Sequence, residues 1–217
     1  MADVLAEAID AGRVFDGVGG RVTALQHATC RIERGDRIAV VGPSGSGKST
    51  LLHLFAGLDS PTSGVVRWPT LGEKVTLRPS KVAFVFQSES LVSSLTVLEN
   101  IEVPRLLAGK DADEARRDAA AMLDALDLTA LADKLPEEIS GGQAQRVAVA
   151  RSLVTNPDLI LADEPTGQLD HITAAHLLDL IDSHLQGTGA ALVVATHDPF
   201  VAARMKIRWQ MDHGALQ

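Results

Sequence analysis

A glycine-rich run at residues 42–49 constrains the fold of this chain more than any other feature. It reads GPSGSGKS, preceded by the apolar run RIAVV and overlapped at its end by the apolar run KSTLLHLFAG. The first run is typical of a buried strand and the second of a helix, so the glycines lie at a strand-to-helix turn. Glycines there let the backbone wrap around an anion, with the loop N–H groups and the helix N-terminus facing it. The sequence therefore predicts a phosphate-binding loop in an α/β protein.

The side chains of this loop suit the phosphates of a nucleoside triphosphate. Lys48 can place its charge between the β- and γ-phosphates, and the Ser49 hydroxyl is a natural ligand for Mg²⁺. An ordinary Gly/Ser turn is the alternative, and the flanking strand and helix patterns argue against it. The residues of the loop that we predict to bind the nucleotide are Gly42, Pro43, Ser44, Gly45, Ser46, Gly47, Lys48, Ser49 and Thr50.

Short apolar runs alternate with helical patterns along most of the chain. Such runs are typical of parallel strands buried on both faces, and the alternation indicates βαβ crossovers. The strand-like runs are residues 37–41, 82–86, 159–162 and 191–196, and the helical patterns are residues 48–56, 112–126, 142–155 and 172–185.

The N-terminal part of the chain follows a different pattern. Its strand-like segments are broken by a Gly-rich turn at residues 17–20, and two further short segments follow near Pro69 and Gly72. We expect these segments to form a small antiparallel sheet beside the parallel one, and we expect residues 96–132, rich in Ala, Leu and Asp, to be a helical insertion. The predicted antiparallel strands are residues 4–9, 21–23, 27–33, 65–68 and 75–77.

Two carboxylates follow one of the predicted parallel strands. Residues 159–162 are apolar and run directly into Asp163 and Glu164. Ligands bind at the carboxyl-terminal edge of a parallel sheet, so Asp163 is placed to hold Mg²⁺, directly or through water. Glu164 is then placed to orient or deprotonate an attacking water. Such a run alone also fits an ordinary strand-to-turn junction, but its combination with the phosphate loop favours the catalytic interpretation.

Composition narrows the classes of partner. The net charge of −8 argues against a general nucleic-acid binder, which needs surplus Lys and Arg to neutralise phosphates. No apolar run approaches the roughly 18 residues that cross a bilayer, and the start MADVLAEAID lacks the basic region of a signal peptide. The single cysteine, Cys30, is expected to be a small buried residue in a reducing compartment. We therefore expect any membrane-spanning segment to belong to another chain.

A second motif, ISGGQ at residues 139–143, is followed by AQRVAVARSL. With it the chain resembles the ABC ATPase superfamily, whose signature is LSGGQ at the start of a helix, and the resemblance extends from about residue 8 to the end. A Ser-Gly-Gly loop that caps a helix without binding a ligand is the alternative. The resemblance implies that the signature of one protomer covers the ATP of the other. The signature residues are Ser140, Gly141, Gly142 and Gln143.

The resemblance assigns roles to three further positions. Gln87 matches the Q-loop glutamine, which contacts Mg²⁺ and senses a membrane subunit, and His197 matches the switch histidine, which contacts the γ-phosphate. Phe15 stands where an aromatic ring stacks on adenine, with a core position as the alternative. The catalytic set so implied is Glu164, His197, Lys48 and Gln87, and the Mg²⁺ ligands are Ser49, Gln87 and Asp163.

The chain departs from the family pattern at several positions. Ile139 replaces the usual Leu, Ala144 and Gln168 stand where related proteins often carry Gln and Asn, and Phe15 lacks the hydroxyl of the usual Tyr. Residues 69–80 and the stretch SESLVSS also differ from related sequences. None of these departures removes a catalytic group, although the last two leave the identity of the partner open.

The resemblance implies one ABC ATPase domain: a P-loop NTPase core with a parallel sheet, an N-terminal antiparallel β-subdomain, and an inserted helical subdomain at about residues 88–157. It implies an ATPase that uses ATP and Mg²⁺, forms a head-to-tail homodimer, and drives an integral-membrane permease from the cytoplasmic face of the membrane. The runs LTVLENIEVP and LADEPTGQLD are most similar to the macrolide-exporter, lipoprotein-release and cell-division branch. Two alternatives stay open: an ATPase that drives no transport, such as a cell-division signalling subunit or a soluble factor, and a P-loop phosphotransferase.

Overall fold

The computed structural model describes residues 3–17, 20–88 and 90–217. Within them nine strands form one sheet in the order β4-β1-β2-β9-β8-β3-β7-β6-β5. The strands are β1 (Val4–Gly17), β2 (Gly20–Glu33), β3 (Arg37–Val41), β4 (Ser63–Arg67), β5 (Val82–Val85), β6 (Leu159–Asp163), β7 (Ala191–Thr196), β8 (Ile207–Asp212) and β9 (Ala215–Leu216). The helices are α1 (Lys48–Phe55), α2 (Val97–Leu107), α3 (Ala112–Ala125), α4 (Gly141–Leu153), α5 (His171–Leu185) and α6 (Pro199–Ala203).

Strands β8, β3, β7, β6 and β5 run parallel to one another. Helices connect most of them, as expected for βαβ crossovers, so the predicted α/β fold with a parallel sheet is confirmed. Parallel strands end at the same edge of the sheet, which brings together the residues that follow β3, β5, β6 and β7. Those residues are Gly42, Gln87, Glu164 and His197.

The parallel strands are buried on both faces. Leu159 and Leu161 of β6 belong to the same apolar cluster as the residues of α1. Ile160 and Ala162 point to the opposite face, where they join residues of α4 and α5. Successive side chains of a strand alternate between the two faces, so burial of both explains the uninterrupted apolar run that marked this strand in the sequence.

The predicted antiparallel part is formed by β1, which pairs with β2 and with β4. Its strands are longer than predicted, and it does not stand apart: β2 pairs with β9, which joins β8 and the parallel strands. Of the predicted turn at residues 17–20, Val18 and Gly19 lie outside the described residues. Cys30 lies partly buried in β2, and burial raises its pKa to about 12, so it carries a neutral thiol.

The prediction of a strand at residues 75–77 is wrong. This segment belongs to a short 3₁₀ helix, Lys74–Thr76, in which the Thr76 N–H donates to the Glu73 carbonyl. Leu77 is buried at its end, whereas Val75 is 84 % exposed. A strand needs a neighbouring strand for its backbone groups, and a turn of 3₁₀ helix satisfies them locally.

Helices α2, α3 and α4 follow one another between β5 and β6. The first turn of α2 is closed by a capping box, in which Thr96 accepts from the Glu99 N–H and Glu99 accepts from the Thr96 N–H. Across the described part of the chain, none of the helices combines the length and the apolar character that a membrane span requires.

Candidate active site

The glycine-rich loop connects β3 to α1 and lies against the backbone of two other strands. A side chain at Gly47, whose φ is 101°, would place its Cβ atom 2.3 Å from the Ala24 carbonyl of β2. One at Gly42 would lie 2.2 Å from the Met211 carbonyl of β8. Glycine is therefore needed at both positions for the loop to pack this closely.

The cation and the polar groups of the loop point toward its centre. The Lys48 side chain is 7 % exposed, and its Nζ donates to the Gly42 carbonyl at 2.8 Å and to the Pro43 carbonyl at 3.0 Å. Gly47 is the N-cap of α1 and, having no side chain, cannot cap the helix itself. Ser46 is 3 % exposed, and its hydroxyl has no hydrogen-bond partner among the described residues. Uncapped N–H groups, a buried cation and an unpartnered hydroxyl together suit an anion.

Asp163, the last residue of β6, is 6 % exposed and has the Ser49 hydroxyl close by. Burial raises the pKa of this carboxyl above its ordinary value. The Ser49 hydroxyl lowers the pKa, and the nearby Glu164 charge raises it further. A hydroxyl and a carboxylate held side by side are the hard oxygen donors that Mg²⁺ prefers. The donor set therefore fits this ion.

Glu164 is held firmly at the end of β6. Its φ is 49°, its backbone N–H donates to the Ala195 carbonyl, and the residue is 8 % exposed. One carboxylate oxygen accepts from the His197 N–H at 3.1 Å and lies 2.8 Å from His197 Nδ1, while the other accepts from the Thr196 hydroxyl at 3.3 Å. Two residues at the end of the neighbouring strand thus orient the carboxylate.

Two cavities with His197 in both linings lie beside these groups. One, of about 400 Å³, is lined by Gln87, Ser88, Glu164, Gly167, Gln168 and His197. The other, of about 320 Å³, has His197 in its wall together with Gly42 and Pro43 of the glycine-rich loop. The structure therefore places Gln87, Glu164 and His197 around one cavity at the sheet edge, and His197 also lines the cavity beside the glycine-rich loop.

The signature residues, Ser140–Gln143, lie on another part of the chain's surface. Ser140 is the N-cap of α4 and forms a capping box with Gln143: the Ser140 N–H donates to the Gln143 amide oxygen at 2.8 Å, and the Gln143 N–H donates to the Ser140 hydroxyl at 3.3 Å. Ser140 and Gly141 are exposed. In the described part of the chain, no hydrogen bond joins this helix start to the glycine-rich loop. One chain therefore does not assemble both predicted halves of the nucleotide site.

Comparison with known proteins decides the family. The family described as ABC transporter matches residues 25–167. The lipoprotein-releasing system ATP-binding protein LolD of Legionella pneumophila (strain Paris) is 44 % identical over 203 residues, which cover 90 % of this chain and 89 % of that protein. LolD of Bordetella pertussis (strain Tohama I) is 40 % identical over 213 residues, covering 95 % and 92 %. The chain belongs to the ABC transporter family.

Solved structures support the same assignment. The dimeric ATP-binding cassette MJ0796, described in a post-hydrolysis state bound to ADP and Pi, matches this ABC ATPase with a TM-score of 0.90 and 33 % identity, covering 98 % of this chain and 96 % of that one. The predicted ABC ATPase fold and the predicted family are thereby confirmed. The chain is an ATP-binding and ATP-hydrolysing subunit of the ABC type.

Phe15 of this ABC ATPase is not a core residue. Its side chain is 41 % exposed near the end of β1, where it pairs with Val22 of β2. The Arg13 guanidinium lies over its ring, 4.4 Å from the ring centroid, and Arg13 donates to Asp59 at 2.8 Å. Sequence analysis missed both partners, because only the folded chain brings Asp59 beside β1.

A further region missed by sequence analysis is an apolar groove of about 550 Å³ between β5 and α2. Leu107 is 72 % exposed there, and Arg78 and Arg151 also line the groove. Its apolar wall is formed mainly by Leu58, Phe84, Phe86, Pro104 and Leu107. Phe86 immediately precedes Gln87, so this groove adjoins the predicted Q-loop.

The loop after Gln87 is tied to the helices beside the groove. Asn100 of α2 is fully buried. Its amide oxygen accepts from the Val92 N–H at 2.8 Å, and its amide nitrogen donates to the carbonyls of Val92, Leu95 and Thr96 at 3.0–3.1 Å. Arg151 of α4 donates to the carbonyl and hydroxyl of Ser90 at 2.7 and 2.6 Å. The loop and the two helices are thus joined by direct hydrogen bonds.

Proposed function

We propose that this ABC ATPase powers a lipoprotein-releasing transporter, docked on an integral-membrane permease at the cytoplasmic face of the membrane. The relatives named LolD support this, because their similarity covers 90 % or more of the chain rather than the nucleotide motifs alone. The observation that carries the motor role is the oriented Glu164 carboxylate, hydrogen-bonded to His197 in a cavity that Gln87 also lines.

In this proposal the nucleotide phosphates occupy the glycine-rich loop, contacted by Lys48 and by the loop and α1 N–H groups. Ser49, Asp163 and Gln87 would hold Mg²⁺, which supplies positive charge to the phosphates when bound. Binding an anion there would also give the Ser46 hydroxyl the partner that it lacks within the described chain.

Glu164 acts on water in this scheme. The hydrogen bonds from His197 and Thr196 fix the direction of its carboxylate, so it can accept a proton from a water aligned with the γ-phosphate. The His197 side chain is 70 % exposed and faces the same space, where it can donate to a γ-phosphate oxygen. Oxygen from the water then bonds to the phosphorus as the bond to ADP breaks.

The second half of the site would come from another copy of the chain. Ser140–Gln143 form a helix start in which the capping box leaves the Gly141 and Gly142 N–H groups unused, and these suit the phosphate of a partner's nucleotide. The dimeric state of the cassette MJ0796 supports the same arrangement. Two copies in head-to-tail orientation would thus enclose two nucleotides.

The apolar groove is the proposed dock for the permease. Its exposed leucine and phenylalanine side chains adjoin Gln87, and the loop that follows is tied to α2 and α4. A change at the γ-phosphate can therefore move the groove together with the helices as one body.

The test is reconstitution of the chain with its membrane subunits in lipid vesicles that carry a tagged lipoprotein. We expect ATP-dependent release of the lipoprotein to a soluble acceptor and stimulation of ATP hydrolysis by the membrane subunits. Leu107→Asp should lose the stimulation, because a charge enters the apolar dock. Val75→Asp, an equally drastic change at an exposed site outside the groove, should keep it.

Two results would contradict the proposal. If hydrolysis is stimulated but no lipoprotein is released, the chain powers a different cargo. If affinity capture recovers ribosomes or DNA and no integral-membrane protein, it is a motor that drives no transport.

A further inference from the structure

Arg13 connects two places that lie far apart in the sequence. Its guanidinium lies 4.4 Å from the centroid of the Phe15 ring, within the range of a cation–π contact. Its Nε donates to an Asp59 carboxylate oxygen at 2.8 Å. Asp59 lies in the loop that follows α1, the helix that begins at the glycine-rich loop. The Phe15 ring is thereby linked, through Arg13, to the far end of that helix.

The Arg13–Asp59 pair is partly buried and well defined. The two side chains are 24 % and 25 % exposed, and the other carboxylate oxygen of Asp59 accepts from the Ser60 N–H at 2.7 Å. Partial burial alone would raise the pKa of Asp59, but the hydrogen bonds from Ser60 and Arg13 and the charges of Arg13 and Lys74 lower it. Asp59 is therefore a carboxylate that holds the guanidinium in place over the ring.

The supported ring lies beside the glycine-rich loop. Phe15 pairs with Val22 on β2, and two residues further along the same strand the Ala24 carbonyl packs directly against Gly47. With the guanidinium over its ring, Phe15 still keeps 41 % of its residue surface exposed. That surface is available to a flat ligand group.

We infer that Arg13 is a positioning residue for the nucleobase: held by Asp59, it fixes the Phe15 ring in the orientation that stacks on adenine. This inference rests on the proposed ATP-binding function and on the adenine contact of Phe15 that the family resemblance implies. An aromatic ring held in its binding orientation loses less freedom when the ligand binds, so removal of the support should weaken base binding and leave phosphate binding unchanged.

The experiment compares ADP with pyrophosphate, which share the phosphates and differ in the nucleoside. Both affinities are measured by calorimetry, pyrophosphate by competition with ADP. Arg13→Met should weaken ADP binding about three- to fivefold, the effect of an exposed cation–π contact. The pyrophosphate affinity should stay within about twofold of the parent value. Arg13→Lys, which keeps the cation without the planar group, should have an ADP affinity between those of the parent and Arg13→Met. In a Phe15→Ala background, Arg13→Met should have no further effect, because the ring through which it acts is absent.

Two more variants separate positioning from other roles. Arg21→Met removes the same charge from an exposed arginine of the same β-hairpin and should change neither affinity. Asp59→Asn keeps the acceptor for the Ser60 N–H and removes the anchoring charge, so it should weaken ADP about twofold. If Arg13→Met does not fold, Arg13→Lys and Asp59→Asn decide the question by the same ADP-to-pyrophosphate ratio.

The outcomes separate this inference from the proposal beneath it. Equal loss of ADP and pyrophosphate affinity on Arg13→Met would overturn the inference, since Arg13 would then act on the phosphates. If Phe15→Ala weakens ADP but Arg13→Met does not, the adenine contact stands and the positioning role fails. If neither changes the ADP-to-pyrophosphate ratio, both fail.

Discussion

The two proposed halves of the ATP site are built in opposite ways. Around the glycine-rich loop, Lys48, Asp163 and Glu164 are 7 %, 6 % and 8 % exposed; Lys48 donates to carbonyls of the loop itself, and Glu164 accepts from His197. At the signature, Ser140 and Gly141 are exposed, and the Ser140–Gln143 hydrogen bonds stay within the first turn of α4. The first half is enclosed by its own chain, whereas the second is a stable surface that a second molecule can reach.

The difference follows from what each half must do. Charged groups act most strongly on a reacting phosphate when they are shielded from water and already oriented. A group that must meet another chain has to stay exposed and keep its shape without that partner, which the capping box provides. Substitutions in the first half should therefore change binding or chemistry within one chain, and substitutions in the second should change only what happens between two chains.

The largest expected effect is that of Glu164→Gln. Loss of a general base lowers turnover by roughly 10²- to 10⁴-fold, whereas ATP binding should persist because the amide is nearly isosteric. Removal of a negative charge beside the γ-phosphate should also stabilise a closed dimer. Single-turnover hydrolysis and light scattering with ATP and with ADP measure the two effects. Turnover at the parent rate would remove Glu164 from the chemistry.

Lys48→Ala should act on binding within one chain. Loss of a charge-assisted contact to the phosphates, about 2–3 kcal/mol, predicts ATP affinity lowered by about 30- to 150-fold. Lys206→Ala, which removes an exposed lysine outside the site, is the matched control and should bind as the parent does. Equal affinity for the parent and the Lys48 variant would show that the loop does not hold the phosphates.

Ser140→Arg, placed in the Glu164→Gln chain, should act between two chains. A bulky side chain at the exposed helix start blocks the surface proposed to cover the partner's nucleotide, so ATP-dependent dimerisation should weaken at least about tenfold, equivalent to 1.4 kcal/mol. ATP affinity of the monomer should not change. Ser183→Arg makes the same substitution at an exposed site in α5 and should leave the dimer intact. If the Ser140 variant still dimerises as the Glu164→Gln chain does, the signature does not form the contact between two chains.

The smallest expected effects are changes in Tm, which should have opposite signs for Asp163→Asn in the first half of the site and Ser140→Ala in the second. The folded-state pKa of Asp163 lies above its ordinary value, so its ionised form destabilises the fold at neutral pH, and this penalty fades as the pH falls through the folded-state pKa. Asp163→Asn should therefore raise Tm by about 2–4 °C at about pH 7, with a smaller gain at about pH 4, while turnover is lost.

Ser140→Ala provides the opposite case. It removes a helix cap and should lower Tm by about 2–4 °C, the effect of about 1 kcal/mol in a chain of this size. For Asp163→Asn, a lower Tm at neutral pH would contradict the prediction. It would show that the ionised Asp163 carboxylate is favourably paired in the fold, so that its burial does not destabilise the protein.

Local patterns were enough to predict much of this protein. The parallel strands, the glycine-rich loop and α1 follow from apolar periodicity and turn chemistry, which act over a few neighbouring residues. The apolar run before Glu164 predicted its place at the end of a parallel strand, and the resemblance assigned Gln87 and His197 to the same site; in the structure the three residues line one cavity. The signature motif then identified the family, which the comparisons confirmed.

Tertiary structure alone decided the remaining features. Residues 75–77 became a 3₁₀ turn because no neighbouring strand satisfies their backbone groups in the described chain, and β9 joined two sheets that the sequence separated. The Arg13–Asp59 contact spans 46 residues and the Glu164–His197 contact 33. Periodicity tells which face a side chain occupies, but contacts at such separations depend on strand order and register, which arise only when the whole chain packs.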